Sequence, residues 1–328
     1  MKKWYPCELH CHTLHSDGSF TVGELISAAK ERKLAGICLT DHNTVSGWEE
    51  TDNQSDVTVL KGIEYTTYHG HMLSLGMNQL INNYNCFGIK DINYTIAQIR
   101  KDGGLVGIAH PFQLGTPICT GGHWDYKIAR WEYVNYIEIF SEGCPYLNTA
   151  NKKARAFWHS LLDMSYRIAP SMGRDWHRTA GNVNLAACTY LYCEGEELTA
   201  GGMKEAIEKG HTAITTGPLF TFFTEEGCTA GDEIYPGFHT LSIIIDTERQ
   251  KETVPDQHFD FKTIRLVSNG GKTVKEFPAT EKELTFIFEK GQWYSLELWG
   301  DIDERTDTLL AFTGAVYVSW LCKVEMKE

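Results

Sequence analysis

Histidine, aspartate and glutamate recur at the ends of short apolar runs from position 10 to position 177, and no other feature of the chain constrains its fold as tightly. The members are His10 and His12 in Glu8-Leu9-His10-Cys11-His12, Asp17 in SDG, Asp41 and His42 in TDH, Glu64 in GIEYTT, His71 in GHMLSLG, His110 in AHP, and Asp175 and His177 in GRDWH. Two histidines one residue apart on a strand face the same way and can grip one ion together, whereas Cys11 between them faces the other way. Such a pair alone is a weak signal. A whole series at strand ends is stronger, because a buried carboxylate without a partner costs several kcal/mol. Leaving Asp41 aside, nine residues are candidate metal ligands: His10, His12, Asp17, His42, Glu64, His71, His110, Asp175 and His177.

The surrounding sequence predicts strands alternating with helices. Gly36 to Thr40 precedes Asp41 and His42, Val59 to Ile63 precedes Glu64, and Leu105 to Ala109 precedes His110. Each reads as a buried strand with a polar residue at its carboxyl end. Thr21 is the expected N-cap of a helix over Val22 to Leu34, with Val22, Leu25, Ile26 and Ala29 on one face and Gly36 as a stop. Ile92, Ile96 and Ile99 repeat the helical spacing before Gly103-Gly104, and a third helix is predicted from about Leu147 to Met164. Alternation of this kind implies parallel strands joined by right-handed crossovers. A (β/α) barrel is preferred to an open sheet because it lets ligands from many strands meet at one point.

The texture changes after Thr215-Thr216-Gly217-Pro218. Runs at Leu241 to Asp246, Ile264 to Val267, Leu284 to Phe288, Trp293 to Trp299 and Ala315 to Trp320 are short, rich in aromatic or β-branched residues, and separated by turn formers. Asn269-Gly270 is a hairpin signal, and Ser268 to Lys272 reads as that turn rather than a phosphate loop. Two units are therefore expected, a metal-binding unit over 1–217 and a small antiparallel β unit, sandwich-like, over 218–328.

Composition narrows the partners. A formal net charge of −13 without a Lys/Arg-rich block argues against duplex nucleic acid, while leaving room for a small anion held by metal. No run approaches the ~18 consecutive apolar residues of a membrane helix. The stretch Met1 to Pro6 is followed by no apolar segment long enough for a signal-peptide core, so a cytoplasmic location is expected. The ten cysteines form no CxxC pair and read as reduced, mostly buried residues.

The ordered set HxH, SDG, TDH, GIE, a later histidine before an apolar run, AHP and a closing DxH resembles the polymerase and histidinol phosphatase (PHP) superfamily over about residues 7 to 217. Within it, GIEYTTYHGHMLSLG, GRDWH and Met203 to Gly210 look most like the branch related to carbaryl hydrolase metalloesterases. The resemblance implies a distorted seven-stranded (β/α) barrel holding two or three divalent ions. His10, His12, Glu64 and Asp175 would hold one ion, Glu64 would bridge to a second bound by His71 and His110, and Asp17, His42 and His177 would hold a third. Imidazole and carboxylate ligands without thiolate suit Zn, Mn or Fe. A trinuclear centre would carry an excess of about three positive charges over its carboxylates, which attracts an anion such as phosphate.

The chemistry expected is hydrolysis by a metal-activated water, with Asp175 or His177 moving the proton. The leading substrate is a small phosphorylated metabolite or nucleotide, and a carboxyl or carbamate ester is the alternative. A non-catalytic protein binding a carbohydrate or a partner chain is a further reading, with oligomeric state left open. Nucleotide phosphatases of the superfamily often carry an arginine just after AHP, whereas this chain reads His110-Pro111-Phe112-Gln113. Arg174 or Arg178 could supply the missing guanidinium to substrate, the competing reading of Arg174 being a salt bridge to Asp175 or to a surface carboxylate. Asp41 and Glu138 are expected to position ligands, Asp41 alternatively capping a helix and Glu138 alternatively touching substrate or serving the fold alone.

His15 and His69 lie beside ligands, whereas His123, His159, His211, His239 and His258 are expected at the surface or in packing. Phe112, Trp124, Trp131 and Trp176 read either as an apolar wall for substrate or as core.

Overall fold

The computed structural model describes residues 2–52, 56–83, 88–114, 122–142, 145–179 and 186–319. Its first part contains β1 (Lys2–Cys11), α1 (Val22–Glu31), β2 (Gly36–Leu39), β3 (Thr58–Thr67), β4 (Gly70–Leu75), α2 (Ile92–Lys101), β5 (Leu105–Ile108), β6 (Tyr136–Ser141), α3 (Thr149–Asp163), β7 (Ala169–Gly173), β8 (Cys188–Glu194), α4 (Ala200–Lys209) and β9 (Thr212–Thr215). The strands share one sheet in the order β9-β8-β1-β2-β3-β4-β5-β6-β7, so this is an α/β protein.

Sheet directions depart from the uniform parallel pattern expected. The steps β1 to β2, β2 to β3, β5 to β6 and β6 to β7 are parallel. By contrast β3, β4 and β5 are mutually antiparallel, as are β1, β8 and β9. The reason at β3 is local. Tyr68 and His69 alone separate β3 from β4, a hairpin length, where a parallel return needs roughly a dozen residues or more. Glu64 therefore sits inside a ten-residue strand instead of at its carboxyl end. Gly70 closes the hairpin at φ +134, against the Trp124 ring that any Cβ would strike at 2.6 Å.

Beyond β7 the chain turns back to β1. Cys11 and Trp176 form a parallel bridge, with Trp176 N–H donating to His10 O and His12 N–H to Trp176 O, both at 3.0 Å. The sheet thus curls, and residues from β1 and from the segment after β7 become neighbours.

Helix α1 starts at the expected cap: the Thr21 hydroxyl accepts from Glu24 N–H at 3.2 Å while the Glu24 carboxylate accepts from Thr21 N–H at 2.8 Å. Val22, Leu25, Ala28 and Ala29 are its buried face. It stops at Glu31, short of Leu34, because Lys33 takes φ +56. In α2, Ile92, Ile96 and Ile99 are buried as the spacing predicts.

The remaining strands are β10 (Leu219–Thr224), β11 (Glu233–Ile234), β12 (Gly237–Asp246), β13 (Phe259–Ser268), β14 (Lys272–Pro278), β15 (Glu283–Phe288), β16 (Trp293–Ile302), β17 (Arg305–Thr313) and β18 (Val316–Val318), with one short helix, α5 (Glu248–Thr253). The β13–β14 hairpin turns at Asn269–Gly271, with Gly270 at φ +73. Trp320, the expected end of the last strand, lies outside the described residues. Strands β10, β12 and β15 form a separate sheet whose Phe220, Phe222, Leu241 and Phe288 share a core with Ile264, Leu266, Leu296 and Leu298 of the large sheet.

The large sheet also runs across position 217 without a break. Ala311, Phe312 and Thr313 of β17 pair with Thr215, Ile214 and Ala213 of β9, which occupies the edge that the turn at Thr216 to Pro218 would otherwise leave bare.

Candidate metal centre

Period-two alternation on β1 sends Glu8, His10 and His12 to one face, and all three side chains are fully buried. The other members arrive from the far ends of neighbouring strands: His42 after β2, Glu64 within β3, His71 at the start of β4, His110 after β5, and Asp175 and His177 after β7. Two of them take left-handed backbone, His110 at φ +25 and Asp175 at φ +53. Strain of this kind is held only where the surroundings over-determine it.

Glu64 organises the cluster by dividing its two oxygens. Oε1 faces His71 Nδ1 at 3.0 Å and His110 Nε2 at 3.2 Å. Oε2 faces His10 Nε2 at 3.0 Å, His12 Nε2 at 3.2 Å and His42 Nδ1 at 3.0 Å. Asp175 Oδ1 completes the second side, 3.4 Å from His10 Nε2 and 3.0 Å from His12 Nε2. Asp17 gathers the outer histidines, 3.0 Å from His177 Nε2 and 3.4 Å from His42 Nε2. His177 Nδ1 donates to the Asp175 carbonyl at 2.7 Å, which leaves Nε2 as its lone-pair nitrogen.

Donor atoms fall into groups within 4.8 Å: His10, His12, Glu64 and Asp175; Glu64, His71 and His110; and His12, Asp17, His42 and His177. His12 stands in two of them, its Nδ1 4.0 Å from Asp17. The nine expected ligands are brought together, and they form a gradient. His10, His12 and Glu64 are wholly buried, while the side chains of Asp175, His177 and Asp17 are 27%, 26% and 59% exposed.

The donors fit divalent ions better than they fit one another. His10 Nε2, His12 Nδ1 and Nε2, Glu64 Oε2, His110 Nδ1 and Asp175 Oδ1 are buried yet make no hydrogen bond, a costly state unless a cation is bound. Charge alone holds the set together without metal. Burial would push the Glu64 carboxyl up, but His10, His110 and His12 hold it well below the usual carboxylate range. Asp175 is likewise held low against its burial, by His10 and His12. Burial works against protonating His12, yet Asp175 and Glu64 push it up to about 9. Protons parked on these imidazoles are what a bound dication displaces.

Supporting contacts lie behind the ligands. Glu138 Oε1 accepts from His10 Nδ1 at 3.1 Å and Oε2 accepts from His110 N–H at 2.8 Å, so it touches ligands on two strands. Asp41 accepts from Thr13 N–H, the Thr13 hydroxyl and the Ser16 hydroxyl, each at 2.7 Å, and thereby shapes the loop that carries Asp17.

Arg174 is buried at the wall of the cleft beside the cluster, where it pairs with Glu8 at 3.1 Å and donates to Ala187 O at 2.6 Å, so the carboxylate it meets among the described residues is the buried Glu8 instead of Asp175 or a surface group. Glu8 was not singled out in the sequence, although it shares the parity of His10 and His12. It accepts the backbone N–H groups of both His10 and Arg174, and burial, offset by Arg174, pushes its carboxyl up to about 6. Arg178 is exposed beside the cluster.

A cleft of about 470 Å³ opens here, lined by Asp17, Ser19, Asp175, Trp176, His177 and Arg178 among others. A larger one, about 730 Å³, lies elsewhere, near Arg167, His211 and Asp232. Volume alone would choose the latter; the orphaned donors identify the former. Of the four aromatic residues weighed as a substrate wall, Trp124 packs against Tyr126 in the core and the half-buried Phe112 and Trp131 pack against Phe157, whereas Trp176, held between Phe20 and Arg32, also lines the smaller cleft. His15 bonds Ser46 and Glu50 instead of the ligands. His159, His211 and His239 are buried.

Imidazoles and carboxylates converging inside a curled sheet of mixed parallel and antiparallel strands define a metal-binding α/β protein. The PHP domain pattern matches residues 8–92, and an uncharacterized protein of Methanocaldococcus jannaschii is 32% identical over 126 residues, 34% of this chain and 69% of that one. The chain belongs to the PHP family.

Among solved structures, a two-domain protein from Bacteroides vulgatus described as containing a predicted PHP-like metal-dependent phosphoesterase is 15% identical, over 96% of this chain and 95% of that one, with a TM-score of 0.49. An amidohydrolase from Chromobacterium violaceum with bound sulfate is 16% identical, over 54% of this chain and 89% of that one, with a TM-score of 0.37. No helix among the described residues is long and apolar enough to cross a membrane.

Proposed function

We propose that this chain is a cytoplasmic metal-dependent phosphoesterase that hydrolyses a small phosphorylated metabolite or nucleotide. The observation that carries the reading is the set of buried, unsatisfied donors at His10, His12, Glu64, His110 and Asp175, joined to a solvent-open side at Asp17, Asp175 and His177. In this reading β1 to β7 are the distorted seven-stranded PHP barrel, and residues 218–328 are a β-rich accessory unit. His10, His12, Glu64 and Asp175 would hold one divalent ion, Glu64, His71 and His110 a second, and Asp17, His42 and His177 a third, of the Zn, Mn or Fe type. When bound, the ions supply Lewis acidity and an acidified water.

The chain's own groups do the rest. Asp175 spans the buried and open sides of the cluster, where its carboxylate can take a proton from the attacking water. His177 commits its Nδ1–H to the Asp175 carbonyl, so its Nε2 lone pair would hold either the third ion or, with that position unfilled, the transferred proton. Glu138 keeps His10 oriented, and Asp41 keeps the Asp17 loop in place. Arg178 on the rim is available to orient an anion.

One observation favours the second reading, a carboxyl or carbamate ester hydrolase. Gln113 follows His110-Pro111-Phe112 and bonds Ser141 and Glu142, so no guanidinium comes from that side, and the Arg174 guanidinium is paired with Glu8. Turnover of p-nitrophenyl phosphate against p-nitrophenyl acetate, with Mn or Zn added back, separates the two. The phosphoesterase reading predicts phosphate release that disappears in a His10→Ala/Asp175→Ala variant. Acetate turnover without phosphate turnover under any metal refutes it.

A further inference from the structure

His239 is one of the histidines expected to serve only the surface or packing, yet its side chain is 92% buried and one nitrogen is unsatisfied. Nε2 lies 2.8 Å from Tyr235 O, and a carbonyl only accepts, so the proton of the neutral ring is on Nε2. Nδ1 is then a bare lone pair. It makes no hydrogen bond and faces Glu226 Oε2 at 3.6 Å, beyond hydrogen-bond range. Two acceptors across that gap repel unless a proton or a metal ion occupies the Nδ1 lone pair.

The neighbouring geometry is already arranged for one. Glu225 and Glu226 lie in the turn after β10, closed by Gly227 N–H on Thr224 O at 2.9 Å, with Gly227 at φ +84. Glu225, exposed like Glu226, is fixed by Thr240 N–H donating to its Oε1 at 2.8 Å. The His239 ring is set edge-on against Phe288, with centroids 5.7 Å apart. One ligand atom from each of Glu225, Glu226 and His239 lies within 4.8 Å of the others. A ligating histidine ordinarily donates its second nitrogen to a backbone carbonyl, which is the role of Tyr235 here.

We infer that Glu225, Glu226 and His239 form a second, separate site for a divalent transition metal of the zinc class, clipping the turn after β10 to the start of β12. The imidazole nitrogen selects zinc-like ions over Ca and Mg, which prefer all-oxygen shells. Glu226 also lines the larger cleft, so water can complete the coordination. The inference is independent of what the central cluster does.

Zinc stoichiometry of the full chain tests it. Chelator-stripped wild type, Glu226→Gln and His239→Gln are dialysed against zinc and bound metal is counted per chain, with cobalt in a parallel series read by visible absorption. Each variant should lose one equivalent and keep the central ones, while a His10→Ala/His12→Ala chain should retain the equivalent at His239. Glu226 is exposed, so its variant keeps the fold even where His239→Gln does not, and circular dichroism checks both. Equal stoichiometry in wild type and Glu226→Gln overturns the site. So does a His239 ring resonance that titrates with pH but does not move on adding zinc, because that describes a plain imidazolium–carboxylate pair.

Discussion

Glu138 holds His10 by its Nδ1, at 3.1 Å, and so decides which nitrogen of that ring points at Glu64. A carboxylate only accepts, which places the proton of the neutral ring on Nδ1 and leaves Nε2, 3.0 Å from Glu64, as the donor to metal. The second oxygen fixes the His110 backbone at its left-handed turn. Glu138→Ala removes both restraints and leaves the nine candidate ligands in place. Metal affinity should fall about 10–100-fold, measured by chelator competition. Wild-type affinity in this variant would refute the positioning role.

Gly173 makes room for the same contact. A Cβ there would lie 2.0 Å from Glu138 Oε1 and 2.5 Å from His10 Cβ, and both neighbours are buried with nowhere to retreat. Gly173→Ala should cost about 1–3 kcal/mol of stability through overpacking. It should also lower bound metal in the purified protein, since His10 is the group displaced. Elemental analysis and thermal melting check the pair of effects, and full metal content would show that the site relaxes freely.

Why some of this was readable in the chain and some was not comes down to distance. His10 and His12 declare a shared face through period-two spacing, and the same parity would have flagged Glu8. Asp17, Asp41 and His42 stand out because they follow apolar runs or sit in a Gly turn. The direction of Arg174 could not be read from its neighbours, because it is set by Glu8, 166 residues earlier. The antiparallel step at β3 and β4 hinges on the two-residue turn at Tyr68 and His69, which the apolar run ending at Ile63 conceals. His239 looked ordinary because its partners, Tyr235 O and Glu226, come from a turn and from another strand's end.

His159 should impose an acid limit on stability. Burial, reinforced by the Arg155 charge and opposed by Asp163, holds its imidazole down at about 3 against an ordinary 6.5. The ring packs between Trp158 and Trp293. Below pH 6.5 the unfolded chain takes up a proton that the folded chain refuses, so this residue's contribution is intact above 6.5 and shrinks as pH falls toward 3. The loss is about 1.4 kcal/mol per pH unit, or about 2 kcal/mol at pH 5. His159→Phe should flatten that slope, measured by urea unfolding at pH 7 and at pH 5. Parallel pH profiles for the two proteins would exclude His159 as the source.

Phe312 joins the two halves of the chain and should make them unfold together. Its ring lies 5.1 Å from Phe140 of β6 and 6.0 Å from Trp158 of α3, while its backbone pairs with Ile214 of β9. Val267, Trp293 and Ala315 enter the same core as Ile137, Leu161 and Met172. Separate melting of a metal-binding half and a β-rich half would require that shared core to split, exposing large aromatic surfaces on both sides. A single calorimetric transition is therefore expected for the full chain. Phe312→Ala should lower it by about 3–5 kcal/mol, the range for emptying a buried phenylalanine, while still giving one transition. Two resolved transitions in the wild type would show that the continuous sheet does not couple the halves.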